Sequence, residues 1–187
     1  MCKEKTPWEK AVEFHGHACP GLAIGFKSSE AALQVLGPTR DIDEEIVAIA
    51  ENDSCAVDAI QSVLGCTIGK GNLTLRNYGK QVFTIGSRKN GQAVRISLKF
   101  EIMGGRDSGE SKAERTQRIL NTDVNGLFEI KKVDFDFPKR AVILKSLKCT
   151  QCGEGVMESK ARIKDGAIVC PDCCEDSGRR WEEPPAK

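Results

Sequence analysis

The chain has 187 residues, enough for one main domain and a small appendix. Its 28 Lys+Arg nearly balance its 27 Asp+Glu, which argues against bulk nucleic acid or an anionic membrane as the main partner. No leader pattern and no apolar run of about 18 residues is present, so a cytoplasmic protein without membrane attachment is expected. Nine cysteines are many for that compartment. Cytosolic thiols stay reduced, so metal binding or redox chemistry is expected rather than a disulfide framework.

Trp8 to Phe14 reads as a short helix, and Pro20 to Leu36 as a longer one stopped by Gly37-Pro38. Glu45 to Ala50 (EIVAIA) alternates toward a buried strand. Asn52-Asp53-Ser54 offers capping residues, and Cys55 to Leu64 follows with helical apolar spacing up to a C-cap at Gly65. Leu73 to Arg76 and Gln81 to Ile85 are strand candidates. Ala93 to Phe100 alternates, with Val94, Ile96, Leu98 and Phe100 expected on one face, after an Asn90-Gly91 hairpin signal. Ser111 to Leu120 reads as a polar helix carrying a Glu114–Arg118 pair. Asn125 to Ile130 and Ala141 to Leu144 are shorter apolar runs. Helices and strands mix without a βαβ rhythm, so the class is α+β: a mixed helix and antiparallel-sheet core over residues 1–145, then a four-cysteine module of zinc-ribbon or treble-clef type over 146–187.

The tail carries the plainest motif. Cys149-x-x-Cys152 and Cys170-x-x-Cys173 are two CxxC pairs at the spacing of a structural zinc site, around a hairpin that turns at Lys164-Asp165-Gly166. Four thiolates close the coordination shell, so this zinc holds a small segment together and leaves no position for substrate. Cys2 and Cys174 are read as bystanders, and Arg179-Arg180-Trp181 as a solvated tail.

The first half holds a second constellation. His15, His17 and Cys19 fall within five residues, and they are joined by Cys55. Pro20 suits the first turn of a helix, which puts Cys19 at a helix N-terminus, where the dipole favours a thiolate. Cys55 repeats that position. Two thiolates and an imidazole make a three-ligand site with an open fourth position, suited to zinc or another transition metal. His17 is preferred as ligand because it lies closer to Cys19, with His15 as the other candidate. Asp58 and Gln61, three apart on one helix face, are candidates to orient a ligating histidine; a solvated face is the alternative. Cys66 follows the helix that Cys55 begins, about 15 Å away. It is expected in a separate pocket or in a site shared with a second protomer. A buried small hydrophobe is the plainer reading of either cysteine. Gly65 to Asn72 fails the phosphate-loop count and reads as a tight turn, although Lys70 could meet an anion. A zinc-deaminase pattern is missing as well.

Three segments together, 14–21 (FHGHACPG), 51–61 (ENDSCAVDAIQ) and 65–72 (GCTIGKGN), with Tyr78-Gly79-Lys80 after them, resemble the FmdE family, named for a formylmethanofuran dehydrogenase component. The resemblance runs through residues 12 to about 80, more loosely to 145, and the tail resembles a zinc appendage of some members. It implies an α+β core, commonly a homodimer, with a cysteine/histidine pocket. It places His15, His17 and Cys19 in the first motif, Cys55, Asp58 and Gln61 in the second, and Cys66, Lys70 and Asn72 in the third. It also implies an accessory role in molybdenum- or tungsten-dependent one-carbon metabolism, through metal handling or assembly of a partner enzyme. Two other readings stand beside it: an enzyme using Cys19 or Cys55, with His17 and Lys70, as an open catalytic site, and a zinc-finger interaction or regulatory module, with nucleic acid disfavoured by the charge balance.

Overall fold

The structure is a computed structural model that describes residues 4–37, 40–103 and 109–174. Cys2, Pro38 and Arg179-Arg180-Trp181 lie outside the described residues. The chain divides into two compact units, 1–141 and 142–187, four residues ahead of the boundary expected from the sequence.

The first unit begins with helix α1 (Pro7–His15), whose Thr6 and Glu9 form a capping box. Gly16 ends it in the left-handed region at φ 94°, where its N–H still reaches the carbonyl of Val12. Helix α2 (Pro20–Leu36) follows, apolar nearly all round and largely buried. Strand β1 (Ile46–Ala50) is buried on both faces, as befits the middle of a sheet. A short helix α3 (Ala56–Ala59) then widens into a π turn at Ile60–Leu64, so the helix expected from Cys55 to Leu64 is broken in kind though continuous in path.

Strands β2 (Leu73–Leu75), β3 (Val82–Ser87), β4 (Gln92–Leu98) and β5 (Phe128–Lys132) complete a five-stranded sheet of order β2-β1-β3-β4-β5. All its pairs are antiparallel except β1 with β2, so the sheet is mixed. Helices α4 (Lys112–Asn121) and α5 (Val124–Leu127) lie between β4 and β5 in the chain. The core joins Ala23, Ile60 and Leu64 of the helical layer to Phe83, Ile85, Val94 and Ile96 of the sheet.

Several local expectations need correction. Val94 and Ile96 are buried as expected, but β4 ends at Leu98 and Phe100 is 83% exposed in a 3₁₀ turn. Arg118 pairs with Glu110 at 2.7 Å, because Glu114 is engaged in the capping box with Ser111. The run from Asn125 to Ile130 splits between α5 and β5, and residues 141–144 form no regular element.

The stretch 133–141 packs against the sheet. Phe135 and Phe137 meet edge to face, and a Cβ at Gly86 of β3 would lie only 2.8 Å from the Phe137 ring. Arg88 stacks on the same ring and donates to the carbonyl of Pro138 at 2.6 Å.

The second unit holds two hairpins, β6 (Ser146–Lys148) with β7 (Gly155–Met157) and β8 (Arg162–Lys164) with β9 (Ala167–Val169). The β8–β9 turn is Asp165-Gly166, both left-handed, as the sequence suggests. Thr150 ties the hairpins together, its N–H and hydroxyl both donating to the Ile168 carbonyl at 2.9 Å.

Candidate metal centre

In the tail, Cys149 and Cys152 sit in the turn of the first hairpin, and Cys170 and Cys173 follow the second. The four sulfurs lie within 4.8 Å of one another. A tetrahedral zinc with bonds of about 2.3 Å needs sulfurs about 3.8 Å apart, and Cys152 and Cys170 are at 3.9 Å. The N–H of Cys152, then that of Cys170, pull the Cys149 thiol down to about 6. Cys173 is pushed up by the hydrogen bond it shares with the Cys170 thiol. Backbone N–H groups thus favour a thiolate at Cys149, and the crowding of the sulfurs is what a divalent cation relieves.

The core constellation is built by two helix starts and one helix end. His15 is the last residue of α1, Cys19 is the N-cap of α2, and Cys55 is the N-cap of α3. Cys19 accepts the N–H of Leu22 at 3.3 Å in the manner of a capping side chain. The Cys55 side chain caps nothing. It packs instead in the small cluster that contains Cys19, Leu22 and Phe26. Burial, then the hydrogen bond it shares with the Cys19 thiol, push the Cys55 thiol up. α3 can come this close because α2 presents glycines: a Cβ on Gly21 would lie 3.1 Å from the Cys55 Cβ, and one on Gly25 only 2.1 Å from the Ala56 carbonyl oxygen.

His15 is fixed from both sides. Its Nδ1 is 2.7 Å from Asp58 Oδ2, and its Nε2 is 3.7 Å from Cys19 Sγ. Gln61 donates to the other Asp58 oxygen at 3.3 Å. With the carboxylate taking the Nδ1 proton, the Nε2 lone pair faces the sulfur. Ligands of one tetrahedral zinc, one nitrogen and one sulfur, lie about 3.5 Å apart, so the pair fits. The His17 ring stacks at 4.6 Å from that of His15, and donor atoms of His15, His17 and Cys19 all fall within 4.8 Å of one another. Beside them is a cavity of about 340 Å³ whose lining includes His15, Cys55, Asp58 and Gln61.

The third motif goes elsewhere. Cys66 is fully buried in the main core and donates to the Ile46 carbonyl at 3.5 Å; burial pushes its thiol up to about 12. Lys70 pairs with the fully buried Asp41, a residue the sequence pattern does not single out. Asn72 donates to Asp41 at 2.8 Å and to the Ile46 carbonyl at 2.9 Å, and accepts the N–H of Thr67 at 2.9 Å. The structure therefore sets Cys66, Lys70 and Asn72 to anchoring the turn after α3 against β1, away from the cysteine/histidine group. Asp41 opens the acidic run Asp41-Ile42-Asp43-Glu44-Glu45, and nothing in that run marks which carboxylate is buried.

Residues 14–133 match the family described as FmdE, molybdenum formylmethanofuran dehydrogenase operon. The chain belongs to the FmdE family. Residues 143–177 match the prokaryotic dksA/traR C4-type zinc finger. A solved FmdE-like protein of tungsten formylmethanofuran dehydrogenase type, from Syntrophus aciditrophicus, is 26% identical, with a TM-score of 0.67 over 88% of each chain. A probable S-adenosyl-L-methionine-binding protein from Archaeoglobus fulgidus is 30% identical over 88% of this chain and 51% of its own length. The chain thus spans about half of that relative. The FmdE-type core and its four-cysteine zinc-ribbon tail are the two units described above. Among the described residues, no helix is long and apolar enough to cross a membrane.

Proposed function

We propose that the FmdE core binds one transition metal through His15 and Cys19, with Cys55 and His17 as the further donors, and that the protein is a cytoplasmic, homodimeric accessory of a molybdenum- or tungsten-dependent one-carbon enzyme, handling metal or assisting assembly. The observation that carries the metal reading is the line Asp58–His15–Cys19. A carboxylate that orients one ring nitrogen so that the other faces a thiol is the arrangement that accompanies ligating histidines. Bound there, zinc or a similar ion would act as a Lewis acid or simply be carried. Asp58 and Gln61 hold the His15 ring, and Gly21 and Gly25 let Cys55 approach. The tail zinc is structural in this reading. The molybdenum or tungsten link draws its support from the family description and from the S. aciditrophicus relative.

Elemental analysis of the full-length protein tests the metal reading. Two metals per chain are expected in the wild type, and one in a Cys19→Ser, Cys55→Ser double variant. One metal per chain in both proteins refutes the core site.

The same line also supports a second reading, a thiol-dependent enzyme in which Cys19 is the nucleophile, His15 its base and Asp58 the group that orients the base. In that case Cys19 of the metal-free protein alkylates faster than Cys55, and His15→Ala removes the difference. Equal rates dispose of it.

A further inference from the structure

The cavity beside the core site has a composition that the metal reading does not use. Its charged lining is acidic: Asp53 and Asp58 belong to it, and no lysine or arginine is among its described residues. The Asp53 carboxylate accepts only a neutral partner among the described residues, the Asn77 side-chain amide at 2.7 Å. Ser54 and Gln61 are its neutral polar groups, and Val57, Ile68 and Leu75 form an apolar side, where Ile68 and Leu75 stand 58% and 41% exposed. Cys55 lines the cavity and packs against the cluster that holds Cys19, and as metal ligands both thiols would be anionic.

We propose that this cavity selects what approaches the core metal: it admits a small neutral or cationic molecule with a nitrogen or sulfur donor and an apolar body, and it rejects carboxylates and phosphates. The inference rests on the metal reading of the preceding section. Charges of one sign in a recess with apolar walls focus the field and raise the local concentration of the opposite sign. A carboxylate entering it meets Asp53 and Asp58 with no lysine or arginine in the lining to offset them, and the two thiolates already balance a divalent ion's charge. An alkyl chain entering it covers Ile68 and Leu75, surface that otherwise stays in water.

The test uses full-length protein with cobalt(II) in the core, followed by its ligand-field spectrum. The tail site, with four sulfurs, has no open position to answer an added imidazole. The probes share one donor ring: 1-(3-aminopropyl)imidazole is cationic, 3-(imidazol-1-yl)propanoate is anionic, and 1-methylimidazole and 1-butylimidazole are neutral.

The cationic probe is expected to bind about tenfold or more tightly than the anionic one at low salt, with the ratio shrinking as salt rises. Asp53→Asn should shrink it too. The butyl probe should exceed the methyl probe by about fourfold per added methylene that reaches the wall, and Ile68→Ser should reduce that gain. Equal affinities for the charged pair, or a ratio untouched by salt and by Asp53→Asn, would overturn the inference. So would cobalt that is held in the core but answers none of the probes. A core that takes up no cobalt overturns the metal reading itself, an outcome distinct from the others.

Discussion

Gly25→Ala is the substitution that most directly asks whether the approach of α3 to α2 places Cys55. In an open helix position this change stabilises by about 0.5–1 kcal/mol, because alanine loses less backbone freedom on folding. Here the new Cβ would lie 2.1 Å from the Ala56 carbonyl oxygen and 2.7 Å from the Ala56 Cα. Those atoms are backbone of α3, so no rotamer change relieves the contact, and the helices must part by nearly 1 Å to reach even 3.0 Å. Overpacking of this kind costs about 1–3 kcal/mol, which outweighs the propensity gain. The displaced residue is next to Cys55, so the donor set opens as well. We expect a lower unfolding midpoint and a core metal affinity reduced by about 10–100-fold, the range seen when ligand support is lost. Denaturant unfolding and chelator competition on the full chain measure the two. Gly21→Ala, whose Cβ would come no closer than 3.1 Å, to the Cys55 Cβ, should fall between wild type and Gly25→Ala. A Gly25→Ala protein with wild-type stability and wild-type metal affinity would refute the reasoning.

Asp58→Asn should leave the fold intact and weaken core metal binding by about 10–100-fold in chelator competition, because the His15 ring loses the carboxylate that orients it. Asp41→Ala should cost about 3–5 kcal/mol in denaturant unfolding, since it strands Lys70, Asn72 and the Ile46 N–H around a buried void. The N–H groups of Asp43 and then Ile42 hold the Glu45 carboxyl down to about 2. A depressed carboxylate contributes stability above its unfolded value near 4.5 and loses it as pH falls toward 2, so Glu45→Gln should lower stability at pH 7, match wild type near pH 2, and flatten the acid dependence between them in denaturant unfolding at each pH. Cys66 should resist iodoacetamide in the native protein and react only on global unfolding, as mass spectrometry of labelled peptides would show.

Elements whose signal is local were legible in the sequence. Helix α2 ends at the expected Leu36, β1 comes from an unbroken apolar run, and the β8–β9 hairpin turns at the expected Asp-Gly. The tail site was legible for the same reason, since each CxxC pair carries its own geometry. What failed depended on competing partners that the local pattern does not name. Phe100 fits the alternation, but β5 pairs with β4 only as far as Leu98, so the strand stops there. The pairing of Glu114 with Arg118 gives way because a capping box claims the glutamate first. Closeness to Cys19 along the chain favours His17, and the structure keeps both rings in reach of that thiol; what the chain order does not reveal is the contact of His15 with Asp58, 43 residues away. Phe135 and Phe137 alternate with Asp134 and Asp136, yet the segment is no strand, and the flat patch at Gly86 explains where the rings pack.

The two units owe their order to different sources. The first closes over a continuous apolar core, whereas the second has three-residue strands and few buried apolar side chains, Val156 and Val169 among them. A segment of that kind is ordered by its ion. The chain therefore has two folding thresholds, one set by temperature and solvent and the other by the free zinc around it. As zinc falls, the appendage melts at a concentration fixed by its own affinity while the FmdE core stands. A single polypeptide can in this way carry a record of zinc supply beside a core whose fold does not depend on it.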